Sequence, residues 1–204
     1  MTAAILLAAG ESTRMGRTKA LLPWRDTRAH GHAPLLIEFQ VRELRAAGID
    51  DLVVVLGHDA EAIRPYVEEG AAIAVNEAYR EGRASSLRAG AAALPDSAGP
   101  IVILSVDQPR TRENVRAALE AHARGDASIT VPTYRGHRGH PVVLAGALLP
   151  ELREASEEAQ GLRGVIAAHE DEVREVEIDN EQVVLDINTP EEYAAALRDY
   201  GTPV

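Results

Sequence analysis

Three cations and two glycines crowd into ten residues near the start of the chain. Gly10, Arg14, Gly16, Arg17 and Lys19 all fall within LAAGESTRMGRTKALLP, residues 7–23. Small residues at Ala8, Ala9 and Gly10 let a backbone approach a ligand closely and leave its N–H groups free for phosphate oxygens. Lys19 is the only lysine among 21 Lys plus Arg. It is a compact point charge in a chain that otherwise uses the planar guanidinium fork. The pattern suits a phosphate cradle. Its spacing excludes two other readings. A P-loop needs G-x-x-x-x-G-K-[ST], whereas five residues separate Gly10 from Gly16 and Lys19 lies three beyond it. A dinucleotide fingerprint, G-x-G-x-x-G, fails at Ser12, so hydride transfer through such a site loses its main support.

Other segments carry polar groups at the ends of apolar runs. IVILSVD (101–107), followed by Gln108 and Pro109, puts Asp107 at the end of a buried strand, where Pro109 stops the ladder. A carboxylate so placed can hold Mg²⁺ beside substrate phosphates, or simply form a turn. In NEAYREGRASSLRAG (76–90), Ser85 or Ser86 is either a ligand contact or a helix N-cap. In LDINTPEEY (185–193), Thr189, Pro190 and Glu192 read as a capped helix start, with Asn188 beside the cap. GHRGHP (136–141) places His137 and His140 three apart without a third ligand of fixed spacing. The other histidines, 30, 32, 58, 122 and 169, read as loop or surface residues.

The elements that must position these groups follow from the apolar pattern. Continuous, β-branched-rich runs at 3–7, 52–56, 72–75 and 101–104 read as strands buried on both faces. Helical stripes at 34–47, 59–66 and 85–93 alternate with them, which predicts an α/β fold with an open, mostly parallel twisted sheet between helices. Beyond Asp107 the expectation is a helix at 112–122, strands at 127–131 and 141–144, short paired strands at 172–178 and 182–185, and a last helix from Thr189. RDTRAHGHA (25–33) is the expected flexible loop.

Two hundred and four residues suit one domain spanning 1–204, and 46% apolar composition is enough for its core. The net charge of −11 argues against nucleic-acid and membrane partners. The absence of Cys excludes disulfides, thiolate metal sites and thiol nucleophiles. With no apolar run long enough to span a bilayer and no basic region before the first one, a cytoplasmic location is expected.

The opening loop, L-A-A-G-x-S-x-R-M-G-x-x-K-x-L-L-P, resembles the signature of the MobA-like nucleotidyltransferase superfamily, and within it the molybdenum cofactor cytidylyltransferases. The resemblance implies a three-layer α/β/α Rossmann-like fold with a small β extension. It implies that Leu7, Ala8, Ala9, Gly10 and Gly16 bind the nucleotide, with Arg14, Lys19 and Asp107 catalytic. Ala9, where guanylyl-transferring relatives tend to have Gly, points to CTP. Residues 76–90 resemble the family's second nucleotide segment, placing Gly82 and Ser86 at base and ribose. LDINTPEEY resembles the family's D-I-D-T-P-E-D-L, but Asn188 replaces its second acid. Either Asn188 joins Asp107 on Mg²⁺ through its amide oxygen, or Asp186 does more of that work. GHRGHP resembles the turn facing the second substrate, which makes Arg138 and His140 acceptor contacts. QGLRG (160–164) resembles G-D-x-G-A-R but has Leu162 and lacks the Asp, leaving the acceptor open.

The implied reaction moves a nucleoside monophosphate from an NTP to a phosphorylated acceptor such as molybdopterin, releasing pyrophosphate with Mg²⁺. A molybdoenzyme or its chaperone is then an implied partner. Alternatives are a sugar phosphate, alcohol phosphate or phospholactate acceptor, with GTP as a possible donor, or a nucleotide-binding accessory protein without turnover.

Overall fold

The computed structural model describes residues 1–24, 34–67 and 70–200. The expected loop at 25–33, with His30 and His32, lies outside them. Four strands form the parallel half of one sheet: β1 (Ala3–Ala8), β2 (Asp51–Leu56), β3 (Ala72–Val75) and β4 (Ile101–Ser105), in the order β3-β2-β1-β4. The remainder is a mixed extension of β5 (Ile129–Tyr134), β6 (His137–Arg138), β7 (Val142–Leu144) and β8 (Val173–Glu177). β7 joins β4 antiparallel, while β5 pairs antiparallel with β6 and β7 and parallel with β8.

The helices are α1 (Leu36–Ala46), α2 (Ala60–Ile63), α3 (Arg83–Ala93), α4 (Arg112–Ala123), α5 (Leu149–Arg153), α6 (Leu162–Ala168) and α7 (Pro190–Tyr200). Period-2 alternation sends Ala4, Leu6 and Ala8 of β1 to one face, where α1, α4 and α7 cover them. Ala3 and Ile5 face the other way, under α3, α5 and α6. Both faces of the parallel strands are therefore apolar, which is why their sequences read as unbroken runs. The result is the expected three layers.

Several boundaries move. The stretch expected as a strand at 182–185 is instead a 3-10 turn, Glu181–Val184. Asn180 Oδ1 accepts from Gln182 N at 2.9 Å and caps it, and Val183 is fully buried. Its apolar residues serve burial in a turn, and its carbonyls go to Arg110 and His140 rather than to a ladder. The helix expected at 59–66 is α2 followed by a 3-10 turn at Arg64–Tyr66. α3 begins two residues before Ser85, and its N-cap is Gly82, so neither serine caps it. His122 is 8% exposed on the inner face of α4, with Nδ1 3.0 Å from Thr130 Oγ1. It is a core histidine and not a surface one. No helix among the described residues is long and apolar enough to cross a membrane.

Candidate active site

β1 ends at Ala8, and the chain then folds back over the carboxyl edge of the sheet. Ser12 takes a left-handed conformation (φ 53) and its carbonyl accepts from Met15 N at 2.9 Å. Met15 buries its side chain below the loop, and Ser12 Oγ accepts from Lys19 N at 3.1 Å. These contacts hold the loop in a shallow arch. Gly57, after β2, lies beneath it: a Cβ there would come within 2.8 Å of Tyr79 Cβ and 2.9 Å of the Ala9 carbonyl.

The arch roofs a cleft of about 280 Å³. Leu7, Ala8, Ala9, Gly10, Arg14, Lys19, Gly82, Ser86, Asp107 and Asn188 all line it. Gly16 does not; its left-handed φ of 66 closes the turn after Met15. The polar centre is compact. Lys19 Nζ lies 2.8 Å from Asp107 Oδ2 and 3.1 Å from Asn188 Oδ1, and Arg14 Nη2 lies 3.3 Å from the same Asn188 oxygen. The pair is shielded, with side-chain exposures of 12% for Lys19 and 21% for Asp107.

Asn188 can face this centre because its neighbours do the capping. Glu192 Oε2 accepts from the backbone N–H groups of Asn188 and Thr189 at 2.7 and 3.0 Å, and Thr189 Oγ1 accepts from Glu192 N at 3.2 Å. That reciprocal box starts α7 and leaves the Asn188 amide for the cleft. Ile187 N donates to the Asp107 carbonyl at 2.9 Å, tying the two segments together.

Asp107 sits in a turn buttressed from below. Gln40, fully buried on α1, donates from Nε2 to the Gln108 carbonyl at 2.6 Å and accepts from Arg110 N at 3.1 Å. Arg110 is also fully buried and, among the described residues, meets no carboxylate directly. Its guanidinium donates to the carbonyls of Pro109, His140, Val183 and Leu185 at 2.8–3.2 Å. Burial pulls its pKa down to about 9, opposed by the charges of Asp186 and Asp107.

A second cavity, about 440 Å³, adjoins the first and shares Leu7, Arg83 and Ser105 with it. His140 and Asp186 line this one, so Asp186 does not share the Lys19 centre with Asn188. Gln108 Oε1 accepts from Ser105 N at 3.2 Å, so its Nε2 is the donor toward His140 Nδ1, 3.0 Å away. The proton of the neutral ring is thereby assigned to Nε2. Burial, reinforced by the positive charges of Arg110 and Arg83, pushes the His140 pKa down to about 3. The imidazole is neutral at physiological pH.

Arg138 is the predicted residue that the structure directs elsewhere. It is exposed on β6, paired with Glu170 and Glu175 at 2.6 Å each. Those two carboxylates raise its pKa. It lines neither the nucleotide cleft nor the second cavity but a third hollow that shares His140, Leu162 and Arg163 with the second. The alternative of a metal site at His137 and His140 has no support, since no three His, Cys, Asp or Glu residues converge as ligands among the described residues. Asp107 and Asn188 do offer two oxygens converging on one point, now held by an ammonium group. That donor set suits a hard cation. Tyr79, Arg83, Ser105 and Gln108 were not singled out as site residues from the sequence. Arg83 follows Gly82 directly, and Ser105 and Gln108 flank Asp107, so proximity to the motifs is the signal that could have found them.

The family model described as MobA-like NTP transferase domain matches residues 4–173. Among curated relatives, the bifunctional protein GlmU of Geobacter metallireducens is 33% identical over 177 residues, covering 81% of this chain and 36% of that protein. The chain thus spans about a third of the length of such relatives. Among solved structures, Rv0371c of Mycobacterium tuberculosis superposes with a TM-score of 0.80 at 29% identity, covering 97% of each chain. Its homologue from Mycobacterium sp. strain JC1 gives 0.79 at 30%, covering 98% of this chain and 96% of that one. Rv0371c has also been solved in complex with manganese, with a TM-score of 0.77 at 28% identity over 97% of each chain.

Proposed function

We propose, from the premise that the chain belongs to the MobA-like NTP transferase family, that it transfers a cytidylyl group from CTP to a phosphorylated acceptor. The acceptor in this reading is molybdopterin, and residues 1–204 act as one transferase domain. The observation that carries the reading is the contact of Lys19 with both Asp107 and Asn188 beneath the arch of the opening loop. A cation and two oxygen donors at one point fit a triphosphate with its metal ion.

The acceptor phosphate attacks the α-phosphorus of the NTP. A new P–O bond forms there, the α–β bridging bond breaks, and its electron pair leaves with pyrophosphate. The nucleophile is already ionised at neutral pH, so no general base is needed. Lys19 and Arg14 stabilise charge on the α-phosphate and the leaving group, which they do best from a shielded position. Ala8, Ala9 and Gly10 bring bare backbone to the phosphates, while Gly82 and Ser86 meet base and ribose. Asp107 and Asn188 would hold Mg²⁺, which supplies charge neutralisation on phosphate oxygens when bound. His140, held neutral, offers Nε2–H to the acceptor in the second cavity.

One observation favours a second reading within the same chemistry. Among the described residues that line the second cavity there is no Phe, Tyr or Trp to stack on a pterin ring. A smaller phosphorylated acceptor, such as a sugar or alcohol phosphate, is the competing assignment. Pyrophosphate release assayed with each of the four NTPs, Mg²⁺ and each acceptor class tests both readings. Release with CTP and molybdopterin alone supports the first, and release with a small acceptor alone supports the second. No release with any pair refutes transferase function.

A further inference from the structure

Arg83 lines both the nucleotide cleft and the second cavity, and so stands at their junction. Its Nη2 donates to Ser105 Oγ at 3.0 Å, and Ser105 is nearly buried at the end of β4. The tether continues through Gln108 to His140, linking the two spaces through one chain of hydrogen bonds. Among the described residues no carboxylate pairs with Arg83 or Arg163, the other arginine of the second cavity.

The same cavity holds two carboxylates, each with a contact of its own. Glu157 accepts from the backbone N–H of Ala84 at the start of α3, and a Cβ on Gly82 (φ 116) would collide with it. Asp186 interacts electrostatically with buried Arg110. Arg83 also occupies the first turn of an eleven-residue helix with no acidic residue in that turn. The guanidinium fork suits two oxygens of one phosphate group.

We propose that Arg83 holds the attacking phosphate of the acceptor at the mouth between the two cavities, with Arg163 as the cation for a second anionic group deeper in the same ligand. The acceptor class is then a phosphomonoester with a further anionic substituent. This rests on the transferase reading and deepens it. The bond changes are those already given, and Arg83 neither gains nor loses a proton.

The test titrates inorganic phosphate by calorimetry into protein saturated with α,β-methylene-CTP and Mg²⁺. Wild type should take up one phosphate. Arg83→Ala should weaken that uptake at least tenfold and the affinity for the analogue by clearly less, with Arg83→Lys between. Arg163→Ala, on a different helix, should reduce affinity for a phosphomonoester carrying a carboxylate more than for phosphate itself. Equal phosphate affinity in wild type and Arg83→Ala overturns the proposal, as does equal loss of phosphate and analogue. No phosphate uptake by wild type also overturns it. If wild type fails to bind the analogue at all, the nucleotide reading falls with it; if the analogue binds and Arg83 is silent, only this inference falls.

Discussion

His140 should make the protein acid-sensitive by an amount the structure sets. The ring is enclosed beside Gln108, with Arg110, Arg83 and Arg163 adding positive potential and Asp107 opposing them. Its pKa falls from 6.5 to about 3. Between those values the unfolded chain binds a proton that the folded chain refuses, so stability rises with pH across this window. The contribution is complete above pH 6.5 and is lost as pH falls toward about 3. At about pH 5 the shortfall is 1.5 units, or about 2 kcal/mol, and at about pH 4 it is about 3 kcal/mol.

Glutamine at this position keeps an oxygen that can accept from Gln108 Nε2 but cannot titrate. Denaturant unfolding of wild type and His140→Gln at about pH 7 and about pH 5 isolates the group, because carboxylate effects cancel in the double difference. Wild type should lose about 2 kcal/mol more than the variant between the two. Equal losses, within about 0.5 kcal/mol, would mean that His140 accepts a proton in the folded state and that its burial does not hold it neutral.

Three further outcomes follow from the same geometry. Lys19→Ala should lower kcat for nucleotidyl transfer roughly a hundredfold or more, since a shielded electrostatic stabiliser is removed; near-native turnover would dismiss its role. Asn188→Asp adds a second carboxylate beside Asp107 and should tighten Mn²⁺ binding about tenfold, read by electron paramagnetic resonance of the free ion. Arg110→Met strands four carbonyls in the interior and should cost about 3 kcal/mol or more in denaturant unfolding. Unchanged stability would show that those carbonyls find other partners.

The parallel half of the fold was legible because its strands are apolar on both faces, as at 52–56 and 101–104. The start of α7 was legible for a local reason: Thr189 and Glu192 satisfy each other's backbone within four residues. The turn at Glu181–Val184 was not, since an apolar alternation says that residues are buried and not which hydrogen bonds their backbone makes. The partners of Arg138 were hidden for a related reason. Its position beside His140 in sequence carries no information about Glu170 and Glu175, which lie more than thirty residues away and capture it. His122 was read as surface because one polar residue on a helix does not announce its partner, here Thr130 on β5.

The grouping of Lys19, Asp107 and Asn188 depends on contacts that no local rule supplies. Asp107 and Lys19 are 88 positions apart, and Asn188 and Lys19 are 169 apart. What closes the distance is the return of the chain after the second half of the sheet. Arg110 fastens residues 183–185 to the turn after β4, and Ile187 N then bonds the Asp107 carbonyl. Only with both in place does the capped start of α7 point Asn188 at Lys19. A buried guanidinium that spends its donors on carbonyls is costly to desolvate, and replacing such a group with an apolar one is often tolerated in cores. Here the carbonyls belong to three separate segments that must meet, so a smaller apolar side chain could fill the volume without fixing their register. The positive charge adds a second effect, since Asp186 and Asp107 attract it through the interior. Register and charge therefore have one source, and the site cannot be assembled from the parallel half of the sheet alone.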